Sequence, residues 1–227
     1  MTAPVRPDLA QTGRAVDPDP AVPSRVAGLT FAVVPHTHWD REWYLPFEVF
    51  RLRLVDVVEQ VVKTLEADER MTFTLDGQAT IVEDVLALRP DLRDRIAARA
   101  RAGQLALGPG WVQPDELLID GETMVRNFLI GRSVVESLGV EPMGVAYHPD
   151  VFGHTAQLPQ VLRGFGIDGF VAWRGMGDEV DRLGPVFRWV APDGSWVWTI
   201  RQLDGYGAGS MLGRWTERGV GSPPGEL

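Results

Sequence analysis

His38-Trp39-Asp40 directly follows the apolar run Leu29-Thr30-Phe31-Ala32-Val33-Val34. On an extended backbone alternate side chains share a face, so His38 and Asp40 can reach one ion from a strand end. An imidazole and a carboxylate suit a borderline cation such as Zn²⁺, with other divalent metals also accommodated. The chain has no cysteine, so any metal must be held by His, Asp or Glu. A second polar cluster, Tyr147-His148-Pro149-Asp150-Val151-Phe152-Gly153-His154, follows another short apolar stretch. Two such clusters at two strand ends read as one site.

The elements that must position these residues alternate in type. Strands are expected at Phe31–Pro35, Phe73–Leu75, Leu105–Leu107, Val145–Tyr147 and Gly169–Ala172. Helices are expected at Glu48–Asp68, with Val49, Leu52, Val57, Val61 and Leu65 at helical spacing, and at Ile81–Leu88, Asp91–Ala102, Glu122–Leu138 and Leu158–Phe165. Pro90 precedes one helical pattern, and Gly103 and Gly139 follow two others, as start and stop signals. This alternation predicts an α/β fold with parallel strands and helical crossovers. Asp193-Gly194 between Phe187–Val190 and Val197–Arg201 predicts a β-hairpin decorating that core.

In such architectures the functional residues gather at the carboxyl ends of the strands. His38 and Asp40, Asp76, the Gly110-Trp111 segment with Asp115 and Glu116, Asp150, and Trp173-Arg174 each follow one of the five strand candidates. Singly, each has a plainer reading. His36, His148 and His154 read as hydrogen-bonded structural histidines, Asp76 before Gly77 as a turn residue, and Asp115 or Glu116 as acids at a helix start. Trp43, Trp111 and Phe152 sit among polar residues or glycines, poor settings for core aromatics. At a polar rim their faces suit the apolar faces of a sugar ring.

A net charge of −9 without a basic stripe argues against nucleic acid or an anionic membrane as partner. No apolar run is long enough to span a bilayer, and no basic-then-apolar leader opens the chain. A soluble cytoplasmic protein is expected. Residues 1–28 carry five prolines among small and charged residues and read as a mobile extension. Residues 29–204 form the β/α part. Residues 205–227 are irregular and offer nothing that would close the architecture, so a fragment of a longer protein or a truncated frame is expected.

The motifs now carry a resemblance. Val34-Pro35-His36-Thr37-His38-Trp39-Asp40-Arg41-Glu42-Trp43 resembles the opening signature of family 38 glycoside hydrolases, the retaining α-mannosidases. Gly110-Trp111-Val112-Gln113-Pro114-Asp115-Glu116 is similar to that family's second block, the run His148–Gln160 to its nucleophile block, and Ala172-Trp173-Arg174-Gly175 to an element of bacterial-type members. The four ordered blocks cover about Leu29 to Gly175. The resemblance implies the N-terminal portion of a seven-stranded β/α barrel, a Zn²⁺-dependent site and hydrolysis of terminal α-mannosides, alone or in mannose-containing oligosaccharides. It makes His38, Asp40 and Asp150 metal ligands, Asp150 also the nucleophile, and Trp43, Phe152 and Arg174 substrate-binding residues.

The chain also departs from the pattern. No histidine follows His154, and Asp178, Asp181, Asp193 and Asp204 match no family motif. Three of the family's four metal ligands and one of its two catalytic carboxylates are therefore identified, and the barrel is expected to be incomplete and weakly active or inactive by itself. A metal-dependent carbohydrate deacetylase is the alternative enzyme class, although its His-x-x-x-His pair is absent. A non-catalytic truncated remnant is the third reading.

Overall fold

The computed structural model describes residues 32–178, 180–207 and 209. The expectations for residues 1–28 and for most of the tail after 205 fall outside them. Helix α1 (Phe47–Ala67) is followed by β1 (Phe73–Thr74), α2 (Thr80–Leu88), a 3₁₀ turn at Pro90–Leu92, α3 (Arg93–Arg101), β2 (Leu105–Ala106) and α4 (Gly121–Glu136). Then come β3 (Val145–His148), α5 (Leu158–Gly164), β4 (Gly169–Ala172), the short α6 (Val180–Leu183), β5 (Val186–Val190) and β6 (Trp196–Arg201). Among the described residues no helix is long and apolar enough to cross a membrane.

The strands form two ladders. β1 and β2 pair in parallel, and a second sheet has the order β3-β4-β6-β5. Within it β3, β4 and β6 are mutually parallel, while β5 runs antiparallel to β6. The hairpin at Asp193-Gly194 is thus not a decoration, because its second strand takes the parallel position beside β4. The first expected strand is also corrected. Its described part, residues 32–35, holds no strand; one parallel bridge follows it, His36 to Thr74, supported by Thr74 N–H donating to Pro35 O at 2.9 Å. Pro35 has no N–H to extend the ladder. The segment is nevertheless held beside β1, which is what places His38.

Two apolar clusters support the sheets. In α1 the buried stripe is Phe50, Leu54, Val58, Val62 and Leu65, spaced by one helical turn, and it packs with Ile81, Val82 and Val85 of α2 and with Leu92 and Ile96. Of the expected stripe, Leu65 is buried and Val61 packs against this cluster, whereas Val49 and Leu52 face solvent. An apolar-rich helix offers more than one stripe at 3.6 spacing, and packing against α2 and α3 selects between them. Around the second sheet Met124, Phe128, Leu158, Leu162, Ile167, Phe170 and Val197 form the other cluster. Each of these fully buried side chains contributes about 1.5–3 kcal/mol. The Asp120 carboxylate caps α4 by accepting the Thr123 N–H at 2.8 Å. Gly103 and Gly139 terminate α3 and the turn after α4 at positive φ, +75° and +68°.

Candidate functional site

The segment that carries His38 and Asp40 is fastened from three sides. Trp39 N–H donates to the Asp76 carboxylate at 2.7 Å, and Gln78 Nε2 donates to Trp39 O at 2.6 Å. Arg41 makes a two-pronged bond to Asp84 of α2 at 2.7 and 3.0 Å. The loop after β2 is held in a similar way: Asn127 of α4 accepts the Val112 N–H and donates to Val112 O, while Trp111 Nε1 donates to Glu83 at 2.6 Å. Gly77 lets the loop after β1 pass over the end of β3, since a Cβ there would collide with the Tyr147 carbonyl. The carboxyl ends of β1, β2, β3 and β4 therefore meet.

Where they meet, His38, Asp40 and Asp150 each offer an atom within 4.8 Å of the others. His38 Nε2 stands 3.6 Å from Asp40 Oδ1 and 3.7 Å from Asp150 Oδ2. These spacings are too long for hydrogen bonds. They match ligands across one ion, because two bonds of about 2.0–2.2 Å at a tetrahedral angle separate the ligand atoms by roughly 3.4 Å. Both ring nitrogens of His38 are buried and, among the described residues, lack a hydrogen-bond partner. The donor set therefore fits a divalent cation. The other ring nitrogen, Nδ1, faces Asp76 Oδ2 at 3.9 Å, again beyond hydrogen-bond distance, and Asp76 holds the segment through the Trp39 N–H instead.

Asp76 is more than a turn residue. It adopts φ +50° and is fully buried. Its carboxylate accepts from Trp39 N, Gly77 N, Gln78 Nε2 and Gln113 Nε2. Burial pushes this carboxyl upward, opposed by the Gln78, His38, Gly77 and Trp39 contacts. Glu116 is also not a helix-start acid, since α4 begins with the Asp120 cap. It is buried at 3% exposure and accepts from His148 Nδ1 and His154 Nδ1 at 3.0 and 2.8 Å, and from Thr155 N at 3.0 Å. Burial alone would raise its carboxyl, but the hydrogen bonds from His148 and His154 outweigh that and hold it at about 2.

A cavity of about 350 Å³ opens above the site, lined by His38, Asp40, Gln78, Gln113, Asp150 and Phe152 among others. Phe152 is 69% exposed, with the Arg174 guanidinium 4.5 Å over its ring. Arg174 also ion-pairs with Asp150. Trp43 is equally exposed and packs against Tyr44 at 4.8 Å with the rings tilted by 50°, outside the lining of this cavity. Trp111 is partly exposed, so none of the three aromatics is a core residue. Sequence reasoning missed Tyr206, whose ring lies 4.5 Å from that of His38. Burial and the neighbouring Asp150 and Asp40 carboxylates raise its phenol. Its position after β6 is the signal that could have found it, had that strand been placed in the parallel set.

Residues 28–214 match the family model described as the glycosyl hydrolases family 38 N-terminal domain. A candidate mannosylglycerate hydrolase from Halalkalibacterium halodurans is 32% identical over 81% of this chain and 22% of its own length. Alpha-mannosidase 2C1 from Homo sapiens is 31% identical over 74% of this chain and 16% of its own. Among solved structures, an alpha-mannosidase from Enterococcus faecalis V583 superposes with a TM-score of 0.72 at 31% identity, covering 82% of this chain and 22% of that one. A 4-alpha-glucanotransferase from Thermococcus litoralis shares the fold alone, with a TM-score of 0.58 at 16% identity. The chain thus spans about a fifth of the length of the relatives it matches.

Proposed function

Because this chain belongs to glycosyl hydrolase family 38, we propose that it carries the nucleophile-bearing part of a centre that hydrolyses terminal α-D-mannosides with retention. The observation that carries this reading is His38 Nε2, buried without a hydrogen-bond partner among the described residues, between the Asp40 and Asp150 carboxylates at 3.6 and 3.7 Å. His38, Asp40 and Asp150 would hold Zn²⁺, which when bound supplies positive charge for sugar hydroxyls and favours the ionised Asp150. Asp150 attacks the anomeric carbon, the bond to the aglycone oxygen breaks, and a glycosyl ester forms on the carboxylate. Water then cleaves that ester, returning Asp150 and releasing mannose with its original anomeric configuration. Arg174 orders Asp150 through their ion pair, and the exposed faces of Phe152 and Trp43 suit the apolar side of the sugar.

Retention also requires a second carboxyl to protonate the leaving oxygen and later activate water. No acid in this chain is assigned that part, so its own turnover is expected to be slow. The His-Asp-Asp group, without a His-x-x-x-His pair, supports glycoside chemistry over deacetylation.

The test uses a leaving group that needs no acid. A 2-fluoro-α-mannosyl donor with a dinitrophenolate aglycone, incubated with the chain and Zn²⁺, should leave a fluoromannosyl adduct on the peptide containing Asp150. The adduct should vanish on chelation and in Asp150→Asn. Labelling of a different carboxylate, or no labelling by mannosyl donors while another glycosyl donor reacts, would overturn the reading. Mannosylglycerate and aryl α-mannosides share the same glycone, and comparing their cleavage in a longer form of the protein would identify the aglycone.

A further inference from the structure

The loop after β4 carries Arg174, and the residue behind it has no room for a side chain. Gly175 adopts φ +83°, and a Cβ there would lie 2.5 Å from Val151 O, 2.9 Å from Gly153 N and 3.1 Å from His154 Nε2. All three atoms belong to the loop after β3, and two of them are backbone atoms that cannot swing aside. The backbone after Arg174 is therefore seated on the backbone after Asp150. One hydrogen bond closes the seat, with Arg174 O 2.9 Å from His154 Nε2. A carbonyl oxygen only accepts, so the ring nitrogen donates, and a neutral ring suffices for that.

A left-handed backbone by itself would not require this closeness. Gly184, in the same connection between β4 and β5, has φ +77°, and a Cβ there would meet nothing within 4 Å. At Gly184 the conformation alone calls for glycine, whereas at Gly175 the space is taken as well. The ion pair of Arg174 with Asp150 is a poor substitute for such a seat. The Arg174 side chain is 43% exposed, and a solvent-screened pair on a long flexible side chain fixes little. Yet the guanidinium stands 4.5 Å over the Phe152 ring and 5.0 Å over the Trp173 ring while Nη2 reaches Asp150 Oδ1. Phe152 lies on the loop after β3 and Trp173 on the loop after β4, so the guanidinium bridges the junction that the two backbones make.

We propose that Gly175 is the positioning residue that sets Arg174 against Asp150, because only a residue without a side chain lets the loop after β4 rest on the loop after β3. With Oδ1 taken by Arg174, Oδ2 is the oxygen that faces His38 Nε2 at 3.7 Å. Gly175 thereby fixes which oxygen of Asp150 turns to the gap between the ligand-capable atoms. That last step rests on the reading of Asp150 as metal ligand and nucleophile, whereas the seating of Arg174 does not.

NMR spectra of the ¹⁵N-labelled 227-residue chain test the seating with neither donor nor metal. The Arg174 Nε–H signal, assigned by its loss in Arg174→Lys, should be shifted upfield of an ordinary arginine by the Phe152 and Trp173 rings. A wild-type signal at the ordinary position would overturn the proposal before any variant is made. Asp150→Ala removes the ion pair and should keep most of the shift; complete loss would mean that the ion pair, and not the seat, places Arg174. Gly175→Ala should abolish the shift, whereas Gly184→Ala, with a similar φ but open space, should leave it intact. An unchanged shift in Gly175→Ala, or equal loss in both alanine variants, would also overturn it. If Gly175→Ala does not fold, the wild-type and Asp150→Ala spectra still decide. With Zn²⁺ and the 2-fluoro-α-mannosyl donor, labelling of Gly175→Ala should slow at least about tenfold and that of Gly184→Ala less than about twofold, since misplacing a reacting group is costly. Labelling of Gly175→Ala at the wild-type rate would remove it from the positioning of Asp150. No adduct even in the wild type would count against Asp150 as nucleophile and leave the spectra untouched, so the two readings fail separately.

Discussion

His38 Nε2 faces Asp150 Oδ2 at 3.7 Å across a gap that neither residue fills with a hydrogen bond to the other. One residue follows a segment bridged to β1 and the other follows β3, so this gap joins the two ladders of the fold. Two ligand-capable atoms held this far apart, with both histidine nitrogens unpartnered among the described residues, are arranged for a third atom.

Metal binding is the first consequence. Calorimetric titration with Zn²⁺ should show one tight equivalent, weakened at least about tenfold by His38→Ala, Asp40→Ala or Asp150→Asn. Unchanged affinity in all three variants would remove the metal from this site.

Asp76 should matter although it is no ligand in this arrangement. Asp76→Asn turns an acceptor of four N–H groups into a side chain that must point its own amide hydrogens at some of them. Unmatched buried donors cost about 1–3 kcal/mol, and zinc affinity should drop as the Trp39 N–H that anchors the His38–Asp40 segment loses its acceptor. Denaturant melts and the same titration measure the two effects; wild-type values in both would assign Asp76 to turn geometry alone.

Glu116 gives a pH signature. Its carboxyl lies at about 2 in the fold against an ordinary 4.5. An acid whose pKa is depressed on folding contributes stability that is full above its unfolded value and is lost as pH falls through its folded value. The melting-temperature deficit of Glu116→Gln should therefore be largest near neutrality and shrink between pH 4.5 and about 2. A deficit that stays constant across that window would mean that Glu116 is not ionised in the native protein.

Gly77→Ala probes the crossing between the two ladders. Its new methyl would meet the Tyr147 carbonyl, a backbone atom that cannot rotate away. Overpacking of this kind costs about 1–3 kcal/mol. Zinc affinity should fall with it, because the same loop carries Asp76 and Gln78. A variant as stable as wild type would show that the two ladders separate more readily here than their contact implies.

The sequence by itself determined the local features. Helix positions followed from apolar spacing and from glycine stops, and the alternate placement of His38 and Asp40 followed from extended backbone. The order of polar residues after strand candidates pointed to Asp150 and Arg174 as neighbours of that pair. What only the tertiary structure decided was which charges face which partners. Asp76 and Glu116 looked like turn and helix-start acids because those readings use only adjacent residues. Their bonding comes from Trp39, Gln113, His148 and His154, supplied by other elements. β6 read as half of a local hairpin because the turn Asp193-Gly194 is visible in sequence, whereas its parallel pairing with β4 is not. Tyr206 was hidden for the same reason. Spacing records what the backbone does over a few residues, but burial and long-range pairing set the protonation and orientation of a side chain, and these emerge only when distant segments pack.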